Sequence, residues 1–302
     1  MVANRNRQFH GGLTVAIYNL GSLNIDYIYS LPHLVTAGET LSATVMNAAL
    51  GGKGANQSLA IARAGGTVFH AGQVHKDDER WLLQLAEAGV ALGHVIRGDV
   101  PTGHAVVMVD EGSGNNQIIL CPSANSRLPV NIISSFLRPA EKSDWALSQN
   151  ETNLTEAFLT AAKQRGMKIC YSAAPFVAET TASLLPLVDL LIVNHIEAAA
   201  LADYQGCSED ALDVPHLIIT RGGDGADYYG ENGQFHVPAT QVEPVDTTGA
   251  GDTYLGYVMA GLDAGQTMHI AMQEAARAAA LQVTRLGASA AIPKRSELAA
   301  GQ

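Results

Sequence analysis

The run Asp246-Thr247-Thr248-Gly249-Ala250-Gly251-Asp252-Thr253 sets two carboxylates and three small residues directly ahead of an apolar stretch, about Thr253 to Leu262, that reads as a helix. Small residues let a backbone turn sharply, and the first N–H groups of a helix have no partner inside it. With roughly half a positive charge from the helix dipole, those donors form a hole suited to phosphate. Gly249, Ala250 and Gly251 are the candidate hole, and Asp252 in the first turn is the candidate base. A carboxylate beside a phosphate can accept the proton of an attacking hydroxyl. A plain tight turn followed by a first-turn acid would use the same residue types, so the motif alone does not decide.

A second cluster is Gly51-Gly52-Lys53-Gly54-Ala55-Asn56. It lacks the Gly-x-x-x-x-Gly-Lys-Ser/Thr spacing of a P-loop, because Gly54 follows the lysine and no magnesium-binding hydroxyl stands there. Its glycines instead allow a small polyol to approach the backbone, and Asn56 offers both a donor and an acceptor to hydroxyls. A loop-to-helix junction explains the cluster equally well. Asn194-His195-Ile196-Glu197 has the spacing of a capping box. Thr220-Arg221-Gly222-Gly223-Asp224-Gly225 reads as a strand end running into a glycine-rich turn.

The elements that must hold these groups are legible from periodicity. Strands are expected at Leu13–Asn19, Thr67–Val74, His104–Val109, Gln117–Leu120, Trp145–Ser148, Lys168–Ser172, Leu190–Val193 and His216–Thr220. Helices are expected at Ala55–Ala64, Asp77–Ala88, Thr155–Gln164, Ala178–Leu185, Ile196–Ala202 and Thr267–Val283. Ser22 to Leu50 alternates irregularly, with Pro32 and Gly38 as punctuation, which suits short antiparallel strands. Beyond Asn131 strand and helix alternate, the pattern of βαβ units. The expected fold class is α/β: a doubly wound, mainly parallel sheet in one domain spanning 1–302. A small β-sheet lid is contributed by about 23–50 and 101–122.

Composition narrows the partners. The 302 residues suffice for a large buried core, and a formal net charge of -11 repels a nucleic-acid backbone. No apolar run reaches the roughly 18 residues of a membrane span. Met1 to Gly12 is polar and basic without an apolar h-region, so no secretory signal is expected. Three scattered cysteines, Cys121, Cys170 and Cys207, form neither a disulfide framework nor a zinc site. A cytoplasmic protein with no nucleic-acid or membrane partner is expected.

Gly21-Ser22-Leu23-Asn24-Ile25-Asp26, Gly38-Glu39-Thr40 and Gly51-Gly52-Lys53-Gly54-Ala55-Asn56-Gln57 resemble the N-terminal signature of the ribokinase (PfkB-type) carbohydrate kinase family, and 246–252 resembles its C-terminal signature. The resemblance runs in register from about Ala16 to Pro293. It implies a ribokinase-like fold and ATP-dependent phosphorylation of a sugar hydroxyl. Asn24 and Asp26 match residues that bond sugar hydroxyls; Gly52, Lys53 and Asn56 match the loop over the sugar; Glu151 matches a further sugar-site carboxylate. Asp252 matches the general base, and 249–251 the anion hole. Asn194 and Glu197 match a motif that organises Mg2+ through water near the ATP phosphates. Thr220, Gly222 and Gly225 match the nucleotide loop, and 275–287 the adenine-lining segment.

Departures from the family pattern bear on the ions and the substrate. Ala276 replaces a histidine near the adenine. Ala291 replaces a serine that helps ligate a monovalent cation, so K+ at Asp246, with carbonyls near Thr248, Arg285 and Gly287, is open. His75-Lys76-Asp77-Asp78 departs from the usual Gly-Asp-Asp form. His104, at a lid position that is often aliphatic, is either a substrate-selecting group or a surface residue. Ribose is the first expected substrate. A nucleoside, fructose or a keto-deoxy sugar acid is the alternative, as is a catalytically silent sugar- or nucleotide-binding relative. A homodimer through exposed lid strands is expected. A dinucleotide-dependent dehydrogenase is excluded, since no Gly-x-Gly-x-x-Gly follows the first strand.

Overall fold

The computed structural model describes residues 15–231 and 233–299. Leu13 and Thr14 of the first expected strand, the 1–12 segment and the two ends of the expected 1–302 domain lie outside the described residues. In chain order the first half holds β1 (Ile17–Leu20), β2 (Asn24–Leu31), β3 (Val45–Gly51), α1 (Lys53–Arg63), β4 (Val68–His75), α2 (Leu83–Ala88), β5 (Ala91–Gly98), β6 (Gly103–Asp110), β7 (Asn116–Cys121) and α3 (Asn131–Phe136). The second half holds β8 (Trp145–Gln149), α4 (Thr155–Gln164), β9 (Lys168–Ser172), α5 (Ala178–Leu184), β10 (Leu190–Asn194), α6 (His195–Gln205), β11 (His216–Thr220), β12 (Ala226–Gly230), β13 (Gly233–Val237), α7 (Ala250–Asp263) and α8 (Met268–Val283).

Nine strands form one sheet in the order β13-β12-β11-β10-β9-β8-β1-β4-β5, and β3-β2-β6-β7 form a second, smaller sheet. In the large sheet only β12 is reversed, so the β11–β12 and β12–β13 pairs are antiparallel. Period-two alternation on β1 sends Ile17 into a core shared with α1, α7 and α8, and sends Tyr18 into a second core with Phe136, Phe158 and Leu201. Both faces are therefore covered, as a parallel sheet requires. The chain winds outward from β1 to β4 and β5 on one side, then from β8 to β11 on the other. The strand order thus reverses at the β1–β8 pair, and the crevice outside the carboxyl ends of such a pair is where open α/β sheets take ligands.

Besides the unexpected short helix α3, four features depart from the sequence reading. Strands β5, β12 and β13 were not expected; glycines flank or interrupt each, and their extended form comes from pairing, β5 with β4, β12 with β11 and β13 with β12. The expected helix at Asp77–Ala88 divides into a 3-10 segment, Lys76–Leu82, and the six-residue α2. Its first turn is drawn aside by Asp78, whose Oδ2 accepts from Thr102 Oγ1 at 2.6 Å, and by His75 Nδ1, which accepts from the Asp77 amide at 3.3 Å. Among the described residues all three cysteines are free, and no helix is long and apolar enough to cross a membrane.

Helices α1 and α7 approach unusually closely. A Cβ built on Gly256 would lie 2.3 Å from the Ala60 Cβ and 3.0 Å from the Ile61 nitrogen. One turn earlier on each helix stand Asn56 and Asp252, so this contact sets their separation. Gly256→Ala is expected to force the helices apart, costing about 1–3 kcal/mol of stability. Thermal melting together with turnover checks this, turnover falling by more than the loss of folded protein accounts for.

Candidate active site

The N-terminus of α7 starts at Gly249, whose φ of 77° is left-handed and whose added Cβ would lie 2.9 Å from Gln282 Nε2. No side chain caps this end; the Ala250 amide turns back onto Thr247 O at 3.2 Å, which leaves the Gly251 and Asp252 amides open to a ligand. Gln282, fully buried, braces the turn: its Nε2 donates to Thr248 O at 2.9 Å and to Ala288 O at 3.3 Å, while Thr253 Oγ1 donates to its Oε1. Asp252 is buried in the first turn. Asn56 Nδ2 donates to its Oδ2 at 3.0 Å and Gln57 Nε2 to its Oδ1 at 2.9 Å. Burial raises its pKa, while the Lys53 charge and the two amide donors pull the other way and Glu151 adds to the rise.

The second wall is the start of α1. Gly52, with φ 89°, leads the chain into the helix without a side-chain cap of its own. Glu151, from the loop after β8, supplies the missing cap. Its Oε2 accepts the Lys53 amide at 3.0 Å and the Ser22 hydroxyl, while Ser22 Oγ accepts the Gly54 amide at 3.1 Å. A carboxylate at a helix N-terminus is electrostatically favoured there. Asn24 is held by Asn125, whose Nδ2 donates to Asn24 Oδ1 at 2.7 Å and whose Oδ1 accepts the Leu23 amide at 3.0 Å. That leaves the Asn24 amide nitrogen to meet a ligand. The buried Asn56 Oδ1 has no partner among the described residues.

Charge is crowded here. Burial first, then the Glu151 carboxylate, pushes Asp26 from 3.8 up to about 6 against the pull of Lys53. Burial pulls the Lys53 ammonium down, but Asp252, Glu151, Glu197 and Asp26 together outweigh it and leave its pKa raised. One lysine thus serves four carboxylates, a surplus of negative charge next to an open helix N-terminus.

A cavity of about 320 Å³ adjoins Ala250 and Gly251 and extends along Thr220, Gly222, Gly225 and Val242 to Ala276. Three of the four residues expected to meet a nucleotide therefore line one space with the anion hole. Asn194 does not line it. Its Oδ1 accepts the Ile196 and Glu197 amides, both at 2.9 Å, and Glu197 Oε2 accepts the Asn194 amide at 2.9 Å, a complete capping box. Burial raises the Glu197 carboxyl. Asp246 joins two loops, its Oδ1 accepting the Thr248 amide and its Oδ2 the Gly287 amide, each at 2.9 Å. These bonds outweigh partial burial and hold its pKa low. Among the described residues no group of three or more His, Cys, Asp or Glu side chains is placed to hold a metal.

His104 lies elsewhere than a substrate-selecting role requires. It is in register with Ile25, the neighbour of Asp26 on β2, so it faces away from the Asp26 carboxylate. Its ring packs edge-on against Tyr27 at 6.1 Å, in a separate hollow with His75 and Asp78. Sequence reasoning passes over Ser22, Asn125, Gln57, Gln149 and Gln282 as site residues. Ser22, Gln57, Gln149 and Gln282 stand inside or beside recognised segments, whereas Asn125 carries no local signal and is brought in by the fold.

The model of the pfkB family carbohydrate kinases matches residues 16–295. The chain belongs to the pfkB family of carbohydrate kinases. It is 32% identical over 293 residues to the ribokinase of Haemophilus influenzae, a match covering 92% of this chain and 95% of that protein. Among solved structures, a ribokinase from Thermotoga maritima superposes with a TM-score of 0.84 at 32% identity, covering 95% of this chain and 98% of the other. A ribokinase from Cryptococcus neoformans in complex with ADP gives 0.83 at 31% identity, covering 96% and 100%. The large and small sheets are thus those of a ribokinase-like fold, and the chain is a carbohydrate kinase acting on a sugar.

The raised Asp26 pKa has a consequence for stability. Folding shifts this acid upward, so the native state binds the proton more tightly than the unfolded chain, and ionised Asp26 costs stability above about pH 6. The cost fades as pH falls from about 6 to 3.8. Asp26→Asn is expected to stabilise the free enzyme at pH 8 by about 1–2 kcal/mol after allowance for partial exposure. It should have little effect near pH 4. Melting curves at both pH values check this, and an Asn variant less stable than wild type at pH 8 contradicts it.

Proposed function

We propose that this kinase transfers the γ-phosphoryl group of MgATP to a primary hydroxyl of a small sugar, ribose first, with Asp252 as general base. The observation that carries the reading is a buried carboxylate, oriented by two amide donors, in the first turn of an uncapped helix that opens on a glycine-lined cavity. The ribokinase names of its relatives support ribose, and the ADP complex of one of them supports ATP.

In this scheme Asp26, the Asn24 amide, Asn56 and Glu151 hold the sugar. The unpartnered Asn56 Oδ1 is suited to accept a hydroxyl proton. Asp252 accepts the proton of the attacking hydroxyl, and the N–H groups of the 249–251 turn, with Ala250 otherwise bonded to Thr247 O, stabilise charge on the transferred group. Lys53 balances the carboxylates around the incoming phosphates. Thr220, Gly222 and Gly225 let the nucleotide lie against backbone. A magnesium ion fits the donor set only through water: Asn194 and one Glu197 oxygen are committed to the cap, which leaves the other Glu197 oxygen to orient its water shell. Bound there, the ion would neutralise phosphate charge. The small sheet serves as a lid that excludes water from the Asp26 side. Its edge strands β3 and β7 expose Val45, Met46, Ile118, Ile119 and Leu120, and we propose that a second copy covers them in a homodimer.

Asp252→Asn is expected to leave sugar and nucleotide binding nearly unchanged and to lower kcat by roughly 10²–10⁴-fold. Near-normal turnover would remove Asp252 as the base. A coupled ADP-release assay with MgATP, run across pentoses, hexoses, sugar acids and nucleosides with and without potassium, tests the substrate. Turnover with ribose above the others supports the reading, and turnover confined to a nucleoside or hexose replaces it. The potassium comparison tests whether a monovalent cation activates the enzyme, with Asp246 the candidate ligand. Sedimentation of the protein as a monomer at micromolar concentration would remove the dimer.

A further inference from the structure

Behind Asp252 runs a chain of buried amides that the scheme above leaves unused. Gln57, 1% exposed, donates Nε2–H to Asp252 Oδ1 at 2.9 Å and to Ser172 Oγ at 3.2 Å. Its Oε1 accepts from Gln149 Nε2 at 2.7 Å, and the same nitrogen of Gln149 donates to Asn19 Oδ1 at 3.0 Å. Asn19 Nδ2 in turn donates to Gly54 O at 2.9 Å and to Ser58 Oγ at 2.8 Å. Asn19 and Gln149 are fully buried, so solvent does not compete for these bonds.

The chain has a direction, and a backbone atom sets it. A carbonyl oxygen only accepts, so Gly54 O requires Asn19 to present its NH₂ there and its Oδ1 to Gln149. Gln149 must then donate, to Asn19 Oδ1 and to Gln57 Oε1. Gln57 is left with its NH₂ facing Asp252, and reversing any one amide would set like groups against each other at its links. The far end is uncharged: Ser58 Oγ lies 2.8 Å from His70 Nδ1, and burial pushes His70 down to about 4.

We infer that Gln57 is a positioning residue for phosphoryl transfer, its donor face locked onto Asp252 by an amide relay whose polarity starts at the Gly54 carbonyl beside the sugar loop. The relay favours the ionised carboxylate that must accept a proton, and with Asn56 on Oδ2 it fixes the carboxylate plane. The inference rests on Asp252 being the base. The other charges facing Asp252 are Lys53 from α1 and Glu151 from the loop after β8, with Asp26 and Glu197 acting on Lys53. None of them is altered by substitution at Gln57.

The test is the pH profile of kcat with ribose and MgATP for Gln57→Met and Gln57→Glu, alongside melting temperature and both KM values. Gln57→Met is expected to lower kcat about tenfold and to move the acid limb alkaline by about one pH unit, with KM values changed by less than about threefold. Gln57→Glu keeps an acceptor for Gln149 but sets a second carboxylate oxygen against Asp252 Oδ1, so its limb is expected to move further. A folded Met variant whose acid limb stays with wild type overturns the inference and leaves Gln57 a packing residue. If the Met variant fails to fold, the Glu variant, matched in shape, decides alone, and an unmoved limb overturns it. Asp252→Asn separates the two failures: an active variant sinks the base itself, whereas an inactive one with unmoved Gln57 profiles sinks only the relay.

Discussion

The contact of α1 with α7 at Ala60 and Gly256 is the constraint from which the site follows. Helix side chains one turn apart share a face, so fixing the backbones there brings Asn56 and Gln57 against Asp252, about 195 positions away in the chain. A methyl group at position 256 would occupy the space that the approach needs. The helices are in turn pressed on the sheet by Leu59, Val258 and Met259, all fully buried. Apolar packing thereby sets the geometry of a polar cluster that could not assemble on its own, because each of its charged members loses hydration on entering.

That loss sets the direction of the pKa shifts in the site. Asp26, Glu197 and Asp252 all have raised pKa values, and burial is the largest cause for each. A fold selected only for stability would not gather four carboxylates around one lysine. Under the proposed function, hydroxyls donating to the carboxylates and phosphates meeting Lys53 and the α7 N-terminus would offset that cost.

Two polar devices keep this cluster ordered. Glu151 caps α1 through the Lys53 amide while remaining close enough to raise Asp26, so one carboxylate both caps a helix and sets the charge of its neighbour. Gln282 and Asp246 brace the other wall, tying the 246–248 turn to the 287–288 loop. Both walls meet at the carboxyl ends of β1 and β8, where the winding of the sheet reverses and leaves a crevice.

Local chemistry is legible in the residues themselves. Gly249 to Asp252 announce a turn, a helix start and a carboxylate, and Asn194 with Glu197 announce a capping box that the fold contains. These are interactions over three or four residues, which spacing alone specifies. The alternation of strand and helix after Asn131 likewise foretells the parallel sheet, because burial on both faces leaves continuous apolar runs. Beyond that range the sequence is silent. Nothing local marks Asn125 as the clamp on Asn24, or turns His104 away from Asp26; the second depends on strand register, where a shift of one residue exchanges the faces. Strand β12 is extended because β11 offers it an edge, and β13 because β12 does in turn, not because their glycine-bounded segments demand it. By itself the sequence determined the motifs, the fold class and the capping box of α6, since those arise from neighbours along the chain. Only the tertiary structure decided which amide faces Asp252 and which carboxylates share Lys53, because those contacts join residues that packing, rather than connectivity, brings together.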